Sequence, residues 1–108
     1  MGPDVLPEDQ KLIMEIAKVV RVGYLQQNAF HKDDTYVPME KQLKMMEVIL
    51  YLNKKCQEAV AQGKVVRAIS ETGIFEQVIK MKYDIPNDHI EKLDTYYHDI
   101  DEAVKSVA

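Results

Sequence analysis

An all-α bundle in one domain, residues 1–108, is the fold this sequence predicts. Three observations point there. Apolar residues recur at steps of three and four along most of the chain, no stretch alternates with the period of two that a half-buried strand requires, and prolines and glycines stand where the periodic segments begin and end. A chain of 108 residues buries roughly two-thirds of its unfolded surface, enough for one small core.

Each element follows from local chemistry. Val5-Leu6-Pro7-Glu8-Asp9 reads as a helix start, because proline is pre-set for the first turn and acids suit the positive end of the helix dipole. That helix is predicted to reach about Leu25, with Leu12, Ile13, Ile16, Val19 and Val20 on one buried stripe. The polar run from Gln26 to Tyr36 breaks the period and is predicted to be a loop. Pro38 opens a second helix that Gly63 closes; Leu43, Met46, Ile49, Leu50, Leu52, Cys56, Ala59 and Val60 cover more than one of its faces, as a central helix would. Two short pieces follow, Val65 to Ile69 and Ile74 to Tyr83, separated by Gly73; Phe75, Val78, Ile79 and Met81 are predicted to face inward. Pro86-Asn87-Asp88 opens a terminal helix, residues 87–107, on which Ile90, Leu93, Tyr97, Ile100, Val104 and Val107 form a heptad seam. That seam is too short for a free coiled coil, so it is expected to lie on the bundle.

Composition excludes several functions. A net charge of −4 with no basic stripe argues against nucleic acid, whose phosphates demand neutralisation. No apolar run approaches the ~20 residues that cross a bilayer, and Met1-Gly2-Pro3-Asp4 lacks the features of a secretory signal, so no direct membrane insertion is expected and the chain is expected to face the cytosol. The single cysteine, Cys56, reads as a small core residue. His31, Asp33 and Asp34 are read as a solvated loop rather than a metal site, and His89 and His98 as surface residues, away from each other and from any carboxylate cluster.

The chemistry-bearing stretch is Tyr24-Leu-Gln-Gln-Asn-Ala-Phe-His-Lys-Asp-Asp-Thr-Tyr36, which sets carboxamides and aromatic rings where the apolar helical pattern stops. Rings and amides suit a flat heterocycle. Phosphates do not suit the place, since it follows a helix C-terminus, the negative end of the dipole, and Asp33 and Asp34 add like charge. No Gly-x-x-x-x-Gly-Lys-Ser/Thr cradle occurs either; Gly63-Lys64-Val65 is the nearest approach and lacks the spacing. Any nucleotide would therefore present its base. Stacking a base gives about 1 to 3 kcal/mol, whereas a millimolar complex needs roughly 4 kcal/mol.

The run resembles the Phe/Tyr-Leu-Gln-Gln-Asn-Ala-Phe-His segment of the catalytic A subunits of archaeal and vacuolar-type rotary ATP synthases, and the resemblance continues through Val-Pro-Met-Glu-Lys-Gln at Val37 to Gln42. It implies the C-terminal helical bundle of such a subunit, with the P-loop in a separate domain that binds Mg-ATP at an interface with the B subunit. It further implies that Phe30 and Tyr36 are the rings that close over adenine, with Gln27, Asn28 and Ala29 along the same edge, while both rings could instead simply plug the end of the bundle. No cofactor and no catalytic or metal-binding residue is expected within the chain itself, which is expected to be inactive alone.

Asp4-Val5-Leu6-Pro7-Glu8-Asp9-Gln10-Lys11-Leu12 resembles the acidic turn with which that family contacts its central stalk, although Val5, Pro7 and Gln10 depart from the pattern. The resemblance assigns the contact to Asp4, Leu6, Glu8 and Asp9; helix capping by Glu8 and Asp9 explains the same acids without a partner. In the family a helix precedes this turn, so an apolar patch near Ile13, Ile16 and Val20 is expected to lie open and to favour self-association. The resemblance thus implies a peripheral, cytoplasmic part of an ATP synthase head that couples ATP synthesis or hydrolysis to ion transport. Two other readings stay open: an acidic helical adaptor that grips a partner helix through the terminal seam, and a stand-alone nucleotide-binding regulator.

Overall fold

The computed structural model describes residues 6–25 and 37–107. Helix α1, Glu8–Lys18, starts where proline predicts it: the Pro7 carbonyl accepts from the amides of Gln10 and Lys11 at 3.1 and 3.0 Å. The helix does not stay α to its end. From Val19 to Leu25 it widens into a π-helix, a geometry that inserts an extra residue and rotates all that follows.

The reason lies at Gly23. A Cβ at this position would sit 2.9 Å from the Cα of Ile79 and 3.1 Å from its carbonyl oxygen. The π segment therefore meets α4, Ile74–Ile79, backbone to backbone. Only glycine permits that approach.

Helix α2, Met39–Ala61, is the centre of the bundle and packs against α1, the π segment, α3 (Val66–Glu71), the 3-10 turn Ile90–Asp94 and α6 (Thr95–Ser106). Its buried residues are Lys41, Met45, Val48, Ile49, Leu52, Cys56 and Ala59; at 3.6 residues per turn they fall on one stripe. The expected set was broader. Leu43 and Leu50 are 59% and 58% exposed, and together with Met39 and half-buried Met46 they line the opposite face. The sequence marks two apolar faces, and only one is used by the core. Gly63 closes α2 with φ +94°, its neighbour Lys64 donating to the Ala59 carbonyl at 3.0 Å, the left-handed stop that glycine favours.

Gly73, with φ +84°, turns α3 into α4, and Met81–Asp84 forms the single turn α5. Phe75, Val78 and Met81 are buried and Ile79 packs against the core, as expected. The final segment departs from one continuous helix. A turn at Pro86 to His89 leads into the 3-10 piece, and α6 begins only at Thr95. The change of geometry shifts the seam: Leu93, Tyr96, Ile100 and Val107 are buried, while Ile90, Tyr97 and Val104 are partly so. The seam is consumed by the chain's own bundle. Tyr97 instead meets Tyr51 edge to face at 4.9 Å, and the Tyr51 hydroxyl donates to Asp101 at 2.6 Å. Among the described residues there is no strand.

The open patch expected on α1 is only partly there. Ile13 is 64% exposed and Met14 55%, but Ile16 and Val20 pack on the core.

Gly23→Ala is expected to destabilise the chain by about 1 to 3 kcal/mol, because backbone rather than a flexible side chain must retreat. Leu43→Glu, on the unused face, is expected to change stability by no more than about 0.5 kcal/mol. Urea unfolding followed by circular dichroism measures both; equal effects would contradict this assignment of faces.

Candidate functional site

The residues expected from the sequence to meet a base, Gln27, Asn28, Ala29, Phe30 and Tyr36, stand within one run, and that run lies outside the described residues together with Gln26, His31, Asp33, Asp34 and Asp4. The structure does describe both flanks. Tyr24 on one side and Val37 on the other pack against the hydrophobic core.

The first flank is fixed by the contact of Gly23 with Ile79. The second is fixed by polar bonds. The Gln42 carboxamide donates to the Val37 carbonyl at 2.8 Å, closing the residues before α2 onto its first turn. Deeper, Lys41 is fully buried, and its ammonium donates to the carbonyls of Lys82 at 2.8 Å and Ile85 at 2.7 Å and to Asn87 Oδ1 at 2.8 Å. An ammonium has three donors, and these carbonyl and carboxamide oxygens are among the groups that receive them. The two carbonyls sit at the end of α5, where helix geometry leaves such groups without intrahelical partners. Breaking a buried charged group's contacts typically costs about 3 to 5 kcal/mol. Lys41 thus ties the start of α2 to the turn before the 3-10 piece.

Sequence reasoning did not single out Lys41. Its signal was present: Lys41 stands four residues before Met45, at the head of the stripe that α2 buries.

At the acidic turn, Glu8 is committed inside the chain. Its Oε1 accepts from the Val66 amide at 2.8 Å and its Oε2 pairs with Lys11 at 3.1 Å. Glu8 therefore caps α3 rather than its own helix. The amide of Val66 first, and then Lys11, hold its carboxyl below the ordinary value of 4.5. Asp9 is exposed and accepts from the Gln10 amide at 3.0 Å, and Leu6 is half-buried. Of the four residues assigned to the stalk, Asp9 presents its carboxylate outward, whereas Glu8 is engaged on both oxygens.

Other reactive groups are held quietly. Cys56 is buried, and desolvation pushes its thiol up to about 12. The hydrogen bond to Asp101 pushes the Tyr51 phenol up to about 12 as well. His89 is not clear of carboxylates, contrary to expectation: it sits on a turn rather than a helix, 3.4 Å from Glu91 and 3.9 Å from Asp88. Among the described residues no group of three or more His, Cys, Asp or Glu side chains is arranged to hold a metal ion, and no helix is long and apolar enough to cross a membrane.

Comparison with known proteins places these features in one context. The family described as the C-terminal domain of V and A type ATP synthase matches residues 1–69. The chain is 45% identical over 112 residues to the V-type ATP synthase alpha chain 2 of Clostridium tetani, covering 97% of this chain and 19% of that protein. It is 43% identical over 108 residues to the A subunit of the A-type ATP synthase of Methanopyrus kandleri, covering 99% of this chain and 18% of that one. Against the V-type ATP synthase alpha chain of Halothermothrix orenii the identity is 39% over 92 residues, 85% of this chain and 16% of the relative. The chain spans less than a fifth of the length of these relatives.

Because the Glu8 carboxyl is held below its ordinary value in the fold, its contribution to stability is complete above pH 4.5 and is lost as pH falls through the lowered value. Unfolding of the chain and of Glu8→Gln, followed from neutral to acid pH, is expected to show the native chain more stable at pH 7 and the two converging below pH 4.5. A gap independent of pH would mean that the carboxylate charge is not what Val66 and Lys11 hold.

Proposed function

The chain belongs to the family of C-terminal domains of V- and A-type ATP synthases, and from that premise we propose that, within the catalytic subunit, it closes over the adenine of ATP and meets the central stalk through its acidic turn. The observation that carries the first part is the run from Gln27 to Tyr36 standing between two flanks that are each fixed to the core. Rings held on a rigid base stack at lower cost in conformational freedom than rings on a free chain.

In this reading Phe30 and Tyr36 stack on the purine, and Gln27, Asn28 and Ala29 line its edge. The phosphates and their Mg ion are gripped elsewhere in the enzyme, at the interface with the B subunit, since this chain has no phosphate cradle. The domain supplies base affinity and position; bond making belongs to the rest of the enzyme. Alone it is inert. As part of a peripheral, cytoplasmic head, the whole subunit couples ATP synthesis or hydrolysis to ion transport.

The adaptor reading is weaker, because the terminal seam it needs is already buried within the bundle at Leu93, Tyr96, Ile100 and Val107.

Phe30→Ala in the full-length subunit of the assembled enzyme is expected to raise the KM for ATP about tenfold, the loss of one stacked ring. An unchanged KM would remove the adenine role. For the stalk, Asp9→Lys is the cleaner probe, because among the described residues Asp9 makes a local bond to the Gln10 amide alone while Glu8 caps α3. Altered coupling of hydrolysis to ion transport, at unchanged thermal stability of the domain, is the expected outcome; normal coupling would remove Asp9 from that contact.

A further inference from the structure

We infer that the outward face of α2 is a docking surface for another domain of the same polypeptide in the full-length subunit, and that the segment it receives is apolar with a cationic edge.

Met39, Leu43, Met46 and Leu50 follow one another at steps of four, three and four, so they share one line of the helix. That line runs roughly opposite the buried residues Met45, Val48, Ile49 and Leu52. Met39 is 69% exposed, Leu43 and Leu50 are more than half exposed, and Met46 is half-buried. A helix with apolar residues on two opposite faces is built to lie between two partners, and the bundle supplies one. The outer line is unused within the described chain.

The edges of the line are not alike. Glu40 and Glu47, seven positions apart, are both exposed on one edge, and neither is in an ion pair among the described residues. Glu40 also joins Asp88 and Glu91 in lining an open cleft of about 400 Å³. Lys44, on the same cleft, is paired with Asp94 at 3.6 Å, and His89 beside Asp88 and Glu91 is charged only when protonated. The opposite edge carries Gln42 and Asn53, which have no charge. An apolar segment with lysine or arginine along one side complements both features.

Area selects the source of that segment. The line presents apolar surface on the order of 400 Å². A stable dimer takes about 800 Å² from each partner, whereas domains joined in one chain hold together with about 300 to 750 Å² a side, because linkage raises the effective concentration to the millimolar range. A second copy would also offer its own Glu40 and Glu47 in place of a cation. The relatives extend over more than four-fifths of their length beyond the region this chain matches. A subunit of that length holds the occupant within its own polypeptide.

The test places Leu43→Cys in the 108-residue chain and in the full-length subunit before it assembles, and follows maleimide labelling of that position by peptide mass spectrometry. Cys56 is fully buried and serves as the unlabelled control. Labelling is expected to be fast in the short chain at every protein concentration and about tenfold slower in the full-length subunit. Leu50→Cys is expected to behave alike and serves if the first variant fails to fold. Glu40→Lys combined with Glu47→Lys is expected to restore fast labelling in the full-length subunit. Fast labelling of that subunit without the lysines would overturn the docking surface. Slow labelling of the short chain would overturn it in favour of a segment of this chain if concentration had no effect, or of a second copy if dilution relieved it. Protection that arises only on assembly would assign the face to a different subunit, and protection untouched by the lysines would overturn the cationic edge.

Discussion

A buried ammonium ion dictates its surroundings more strictly than any apolar contact in this bundle. Hydrophobic packing is roughly proportional to area and insensitive to direction, so helices held by it alone have several near-equal ways to sit. Lys41 removes that freedom for α2. It donates to acceptors contributed by Lys82, Ile85 and Asn87, and another register of α2 would break these bonds in a medium where that costs dearly. The core cluster from Leu12 to Val107 supplies most of the favourable free energy of folding, while Lys41 specifies which packing is adopted.

Glycine does the complementary work on the other side. Where Lys41 fixes a distance through directed bonds, Gly23 fixes one through the absence of a side chain, letting the π segment rest on the Ile79 backbone. A π-helix is a poor structure by itself, with weaker bonds than the α form. Its persistence from Val19 to Leu25 is explained by burial: Val19 is fully enclosed and Val20 and Tyr24 reach the core. An α-helical continuation would rotate these residues progressively off that surface. Strain of this kind is sustained only where surrounding contacts over-determine it, and here it stands directly before the run of rings and amides.

Element type was legible in the sequence; the choice among faces was not. Pro7, Pro38 and Gly63 gave the ends of α1 and α2 because proline and glycine act through local sterics that tertiary context rarely overrides. The inward residues of α4 were equally plain. On α2, Leu43 and Leu50 carry the same apolar signal as Met45 and Leu52, and periodicity alone could not say which stripe meets the core. Lys41 was passed over for a related reason: it stands in register with the buried stripe, but lysine is nearly always exposed, and the acceptors at Lys82, Ile85 and Asn87 lie more than forty residues away. The seam of the terminal segment drifted by one position, Tyr96 replacing Tyr97, because a 3-10 turn has three residues per turn rather than 3.6. Of the candidate site, the run from Gln27 to Tyr36 lies outside the described residues, and the two anchors that flank it became visible only in three dimensions.

The energetics explain why such a domain would need a rigid base at all. A stacked purine returns only about 1 to 3 kcal/mol, less than the cost of ordering several residues from a free chain. Rings that had to be ordered at each binding event would contribute nothing to affinity. Rings whose attachments are already fixed contribute nearly their full stacking energy, and that contribution changes when the whole domain moves as one body. In the proposed reading the second case is favoured by the contacts that hold both described flanks, Tyr24 and Val37, to the core.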